Sequence, residues 1–253
     1  MHPSFSVAAL AARRSRQTQP EILPALLRLV SSLSLISGGL ARTHHQLPVS
    51  EYSKAQNTEI GDVERGDQFT YLSMDKDSKL IINWRVGKRN GENTLAFMQD
   101  LKSRMASRFQ LTTDAFNGYR IGRGSVREVF GNEIDYSTEE KIWAKPDLAG
   151  VSRWYNPLVV VGIKRKRRIG NADLSEATTC HAERMNLSLR IFSRRFTRKT
   201  LGYSKKLENL RHAVAIFTAH FNFIRKHSAH GMTPAQAAKL TDRQWTIEEM
   251  LTP

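Results

Sequence analysis

From Asp67 onward, polar and apolar positions alternate in a way that defines successive elements. Phe69-Thr70-Tyr71-Leu72-Ser73-Met74 is a short β-prone run, and Asp75-Lys76-Asp77-Ser78 has turn chemistry. Lys79 to Val86 then alternates, with Leu80, Ile82, Trp84 and Val86 set against Lys79, Ile81, Asn83 and Arg85. The pair predicts an antiparallel hairpin. After the polar break Gly87 to Gly91, the spacing predicts a helix over Asn93 to Arg108, with Leu95, Met98, Leu101 and Met105 as its buried stripe. Phe109 to Thr113 follows as a strand that delivers Asp114 at its C-terminal end. The order β-β-α-β predicts a mixed sheet with a crossover helix, in which ligand sites gather beyond the carboxyl ends of strands.

Farther on, Ala115 to Gly131 contains a second helix ending near Val129-Phe130, and Glu133 to Tyr136 reads as a short strand. Gly122-Arg123-Gly124 is no dinucleotide fingerprint, because Arg127 stands at the third glycine position and no strand precedes it. Leu158 to Ile163 is a β-branched run. The basic run Lys164-Arg165-Lys166-Arg167-Arg168 after it reads as a phosphate-contacting loop. Between Thr179 and Phe196, helical winding separates two rows: Met185, Leu189, Phe192 and Phe196 as a buried stripe, and Glu183, Asn186, Arg190 and Arg194 opposite. Glu183 alone suits the positive end of a helix. Its sharper reading is a metal-ligand carboxylate, with Asn186 and the arginines below it aimed at a phosphate backbone. A longer helix is predicted from Glu208 to His227, with Leu210, Val214, Phe217, Phe221 and Ile224 on one stripe. Thr233 and Pro234 are a helix N-cap and first residue, and Trp245 and Leu251 pin the tail to the body.

Charge changes the picture. The chain of 253 residues carries a formal charge of +15, and such a field attracts polyanions. Nucleic acid is the expected partner; no basic amphipathic helix with a lipid face stands out for the alternative, an anionic membrane surface. The single cysteine, Cys180, excludes an internal disulfide or a zinc ribbon within the chain, fits a cytosolic compartment, and reads as a buried small apolar residue. The run from Ile22 to Leu40, interrupted by Pro24 and Arg28, is too polar to span a membrane. Residues 1–46 therefore read as a leader, outside the packed body.

An Asp at a strand end followed by a Glu on a later helix, in a basic α/β protein, looks like the ribonuclease-H-like fold. Local motifs sharpen this. Gly66 to Ile81 resembles the hairpin of the insertion-sequence-one type of bacterial transposases, and Ala96 to Arg104 and Gln110 to Asp114 are similar to that family's next segments. His181-Ala182-Glu183-Arg184-Met185-Asn186-Leu187-Ser188-Leu189-Arg190 resembles its Glu-bearing helix, and Arg194 to Arg198, Phe221-Asn222-Phe223 and Thr233-Pro234-Ala235 continue the match.

The resemblance implies a ribonuclease-H-like catalytic core over 47–230, a C-terminal helical tail over 231–253, and a metal-dependent Asp-Asp-Glu site that cuts and joins DNA at transposon ends. The second Asp maps to Asp114 and the Glu to Glu183, the expected ligands of a pair of Mg²⁺ or Mn²⁺ ions. The first Asp has no counterpart: an ungapped count back from Tyr52 to Asn57 places His45 there, and Asp75 is the remaining substitute. The chain is thus expected to be an N-terminally truncated or frameshifted transposase, weakened or inactive; the alternative is a non-catalytic DNA-binding remnant acting as an inhibitor. The expected DNA contacts are Arg184, Asn186, Arg190, Arg194, Arg195, Lys164, Arg165, Lys166, Arg167, Arg168, Arg198, Lys205 and Lys206. The expected partners are double-stranded DNA with terminal repeats and further copies of the chain in a synaptic complex. The expected location is the cytoplasm of a bacterium, at the nucleoid, without a membrane.

Overall fold

The computed structural model describes residues 32–43, 66–144, 158–197, 202, 204 and 206–251. They form a mixed α/β structure around a six-stranded sheet of order β3-β2-β1-β4-β5-β6. The strands are β1 (Ser32–Thr43), β2 (Gly66–Asp75), β3 (Ile81–Gly87), β4 (Gln110–Asp114), β5 (Asp135–Ala144) and β6 (Val159–Ile169). Strand β2 runs antiparallel to β1 and β3, β1, β4 and β5 run parallel, and β6 is antiparallel to β5. Among the described residues no helix is long and apolar enough to cross a membrane.

The central strand of the sheet comes from early in the chain. Ser32–Thr43 lies within the segment read as an unpacked leader, yet it pairs with β2 on one side and β4 on the other. Its serines and glycines weaken the apolar signal. A strand between two others, however, is held mainly by its backbone hydrogen bonds. Position 45, where the ungapped count put the first Asp, falls outside the described residues, as does the segment 52–57.

The hairpin forms as its alternation predicts, with one change. Leu80 and Ile82 join the core under the first helix, whereas Trp84 and Val86 pack on the other side of the sheet. The ladder explains it: Ser73 pairs with Asn83 and Met74 with Ile81, so Ile82 is an extra residue on β3. Such a bulge reverses the side-chain alternation.

Helix α1 (Gly91–Arg104) is capped by Asn90, whose side chain accepts the Asn93 N–H at 3.0 Å, and it buries Phe97, Met98 and Leu101 against Tyr71 and Leu111. The segment expected to contain a second helix ending near Val129-Phe130 holds two short ones, α2 (Asn117–Arg120) and α3 (Val126–Phe130), the latter ending there. On the opposite face lies α4 (Cys180–Phe192), whose Met185 packs on Leu72, Met74 and Ile81. Helix α5 (Leu207–Ala219) runs beside it and passes into a π-helical turn, His220–Ile224. There Asn222 pairs both ways with the β3 backbone, accepting the Ile81 N–H at 3.0 Å and donating to its carbonyl at 2.9 Å. Thr233 caps α6 (Pro234–Ala237) through a full capping box. Trp245 stacks on Phe223, with ring centroids 4.5 Å apart, ahead of α7 (Ile247–Leu251).

Candidate functional site

Strand β4 ends at Asp114, whose register partner on β5 is Glu139. Two residues earlier, Thr112 and Ser137 are likewise paired, and their hydroxyls meet at 3.0 Å. Alternation with a period of two places Asp114 and Glu139 on that same face of the sheet, the side covered by α4. Glu139 is buried, at 3% exposure. Its carboxylate accepts the Arg165 Nε at 3.0 Å, the Thr179 N–H at 3.2 Å and the Thr179 hydroxyl at 2.8 Å.

Thr179 precedes α4 but makes no capping bond with its side chain. Its hydroxyl is turned to the acids instead, and it lies 3.2 Å from Oε1 of Glu183, one helical turn on. One hydroxyl hydrogen thus stands between two carboxylates. The other oxygen of Glu183 is held by the Lys141 ammonium, two residues beyond Glu139 on the same face of β5. Glu139 and Glu183 are thereby linked, with Lys141 and Arg165 as counter-charges, while Asp114 shares their sheet face as the register partner of Glu139. The Asp114 carboxylate accepts the Phe116 N–H at 3.4 Å. Just behind, on the α1 side, Thr113 meets the Tyr136 hydroxyl at 2.9 Å, and burial pushes that phenol up to about 12.

The third acid considered from sequence, Asp75, is placed elsewhere. Its Oδ2 accepts the N–H of Ser78 at 2.8 Å and the Ser78 hydroxyl, which closes the β2–β3 turn. Asp75 pairs with Leu33, and Leu33 with Leu111. That is two strands and three residues away from Asp114, roughly 14 Å by strand geometry. Strand β1 itself, Ser-Leu-Ser-Leu-Ile-Ser-Gly-Gly-Leu-Ala-Arg-Thr, contains no carboxylate.

The expected row of phosphate contacts is divided by the structure. Arg184, Arg194 and Arg195 are exposed, and Arg195 donates to the Ser204 hydroxyl at 2.9 Å. Arg190 bonds the Asn186 carbonyl at 3.2 Å. Asn186 itself is buried, at 4% exposure, with its Oδ1 unpaired. Three residues beyond Glu183 the helix has rotated it toward the sheet beside Ala182 and Met185, so it is not on the basic surface. Phe192 departs the other way: it is exposed, and the Arg225 guanidinium lies 4.2 Å over its ring.

The basic run 164–168 is part of β6, not a loop. Lys164 and Lys166 are exposed, Arg165 is taken by Glu139, and Arg167 bonds the Ala172 carbonyl at 2.9 Å. Arg168 donates to the Thr138 hydroxyl at 3.1 Å. Lys206 is exposed ahead of α5, and Arg198 and Lys205 fall outside the described residues. Cys180 is exposed, contrary to expectation, because the first turn of α4 turns it away from the sheet.

Sequence reading missed Glu139, Lys141 and Thr179. Glu139-Glu140 interrupts the β-prone pattern after Tyr136, and the ionic partner that makes burial of Glu139 possible is 26 residues away. Among the described residues no three His, Cys, Asp or Glu side chains are arranged to hold a metal ion. No family model matches the chain, and no curated protein matches it.

Proposed function

We propose that this chain is a DNA-binding protein built on a transposase core of the Asp-Asp-Glu class, ribonuclease-H-like in strand order, whose strand-cleavage site is incomplete. The observation that carries the reading is the shared Thr179 hydroxyl, which links Glu183 to Glu139, the register partner of Asp114. The reading is supported by Glu183 being joined to Glu139 at the carboxyl end of the parallel strands, the region where α/β proteins place their chemistry. The charge of +15 and the exposed Arg184, Arg194, Lys164 and Lys166 supply the attraction for duplex DNA.

Binding is favoured over cleavage by the same corner. Phosphoryl transfer by two divalent ions needs clustered, uncommitted carboxylates. Here β1 brings no acid, Lys141 holds Glu183, and Arg165 holds Glu139. The Mg²⁺ or Mn²⁺ pair that the resemblance implies does not fit these side chains as arranged. The reading is a chain that engages transposon-like duplexes and cuts them feebly or not at all.

The test combines two assays on the full chain. Duplex binding is expected to weaken steeply as salt rises. Nicking with Mg²⁺ or Mn²⁺ is expected to stay at background. Failure to bind duplex DNA at low salt would remove the proposal; metal-dependent nicking abolished by Glu183→Gln would restore a working enzyme.

A further inference from the structure

The turn between α2 and α3, Ile121-Gly122-Arg123-Gly124, is built rigidly and ends in an apolar tip. The Ile121 N–H bonds the Asn117 carbonyl at 2.9 Å, and the Ser125 N–H bonds that of Gly122 at 3.0 Å. Gly124, with φ of +82°, is pressed against α1: a Cβ there would stand 2.2 Å from the Leu95 nitrogen, so no other residue fits. Beneath the turn Tyr119 is fully buried and meets Phe116 edge-on, with ring centroids 5.2 Å apart. On this base Ile121 is 69% exposed, more than any other large apolar side chain among the described residues. Arg120 precedes it, Arg123 and Arg127 are exposed after it, and no carboxylate occurs between Asp114 and Glu128. Glu128 is itself turned back to accept the Gly124 N–H.

A lone exposed isoleucine calls for no function. One fixed on a stiff tip among guanidinium groups is a different object. We infer that Ile121 is a wedge for the minor groove of duplex DNA, and that the substrate it selects is duplex already kinked or weakly stacked; the inference rests on the duplex binding proposed above. Four residues between one-turn helices are too few to lay a helix in the major groove, whose bases are read through donors and acceptors that isoleucine lacks. The minor groove, about 6 Å wide, admits a chain tip, and its negative potential draws arginines. An apolar side chain pushed between base steps unstacks them and bends the duplex toward the cations that flank it. Because the turn is already ordered, insertion forfeits little conformational freedom. Selection then comes from the ease of deforming the site, and a mismatch, whose stacking is already weakened, spares part of that energy. The exposed Lys164 and Lys166 on β6 attract the phosphates of any duplex alike, so overall affinity and choice of substrate have separate sources.

Fluorescence anisotropy of the full chain with two duplexes, identical except for one central mismatch, reads that choice. The mismatched duplex is expected to bind about tenfold tighter. Ile121→Ala is expected to remove most of the preference and leave the matched duplex within about twofold, whereas Ile121→Leu retains it. Arg123→Gln is expected to weaken both duplexes and lower the salt slope by about one. A fluorescent adenine analogue beside the mismatch is expected to brighten with the parent and not with Ile121→Ala. All three variants are expected to melt with the parent, because both side chains are exposed. Equal binding of the two duplexes by the parent overturns the inference and leaves duplex binding standing. A preference that survives Ile121→Ala, or an Ile121 effect confined to anionic vesicles, overturns it as well. Binding of neither duplex at low salt removes the proposed function and the wedge with it.

Discussion

Truncating Glu139 tests the organisation of the site more directly than any assay on DNA. Glu139→Ala removes the acceptor of three bonds and leaves the Arg165 guanidinium, the Thr179 N–H and the Thr179 hydroxyl without it. Breaking a buried ion pair from one side costs about 3–5 kcal/mol. Arg165 is 35% exposed, so it recovers water, and the expected loss is about 2–3 kcal/mol. For a chain of this size that lowers the melting temperature by roughly 4–12 °C. Glu139→Gln keeps an acceptor for Thr179 and should lose about half as much. Glu140→Ala, on the neighbouring exposed position, should stay within about 0.5 kcal/mol of the parent. Thermal unfolding followed by circular dichroism measures all three. Hydrogen exchange should show the first turn of α4 opening in Glu139→Ala ahead of the rest of the sheet. If Glu139→Ala and Glu140→Ala melt together, the acid corner is not held by Glu139 and the bridge through Thr179 has no structural weight.

Asn222→Ala should cost about 2–4 kcal/mol in urea unfolding, because it strands the N–H and the carbonyl of Ile81 inside the packed α5 side; a loss below about 1 kcal/mol would contradict that pairing. His181, His220 and His227 are all held below the ordinary imidazole value of 6.5, first by burial and then by Lys79, Arg225 and His230 respectively. The unfolded chain then binds more protons, so their contribution is complete above pH 6.5 and is lost as pH falls through the folded values. Melting temperature should drop from pH 7 to pH 5, and the drop should shrink when the three are replaced by Asn. In duplex titrations, Lys164→Gln with Lys166→Gln should weaken binding several-fold and flatten the salt slope by about two, whereas buried Asn186→Ala should leave affinity within about twofold.

How much of this was legible depended on how local the cause was. The hairpin, the first helix and the Thr233 cap follow from alternation, helical spacing and capping chemistry, all set within a few residues. The face switch at Ile82 did not, since a bulge is decided by the partner strand. Strand β5 was cut short after Tyr136 because Glu139 looks like a solvent residue until Arg165 is laid beside it. Thr179, whose hydroxyl joins Glu183 to Glu139, was not singled out, because a threonine before a helix reads first as its cap. Asn186 was put on the wrong face by a 60° error in helical rotation, which a row of four polar residues cannot correct.

Strand β1 sits where the sheet would otherwise come apart. Without Ser32–Thr43 the β2–β3 hairpin has no ladder to β4, β5 and β6, and each half is left with a raw edge facing the other. A product initiated downstream of Thr43 would lose that ladder and keep only the side-chain packing under α1 between the two halves. The stretch with the least conspicuous composition is the seam on which cooperative unfolding of the whole sheet depends.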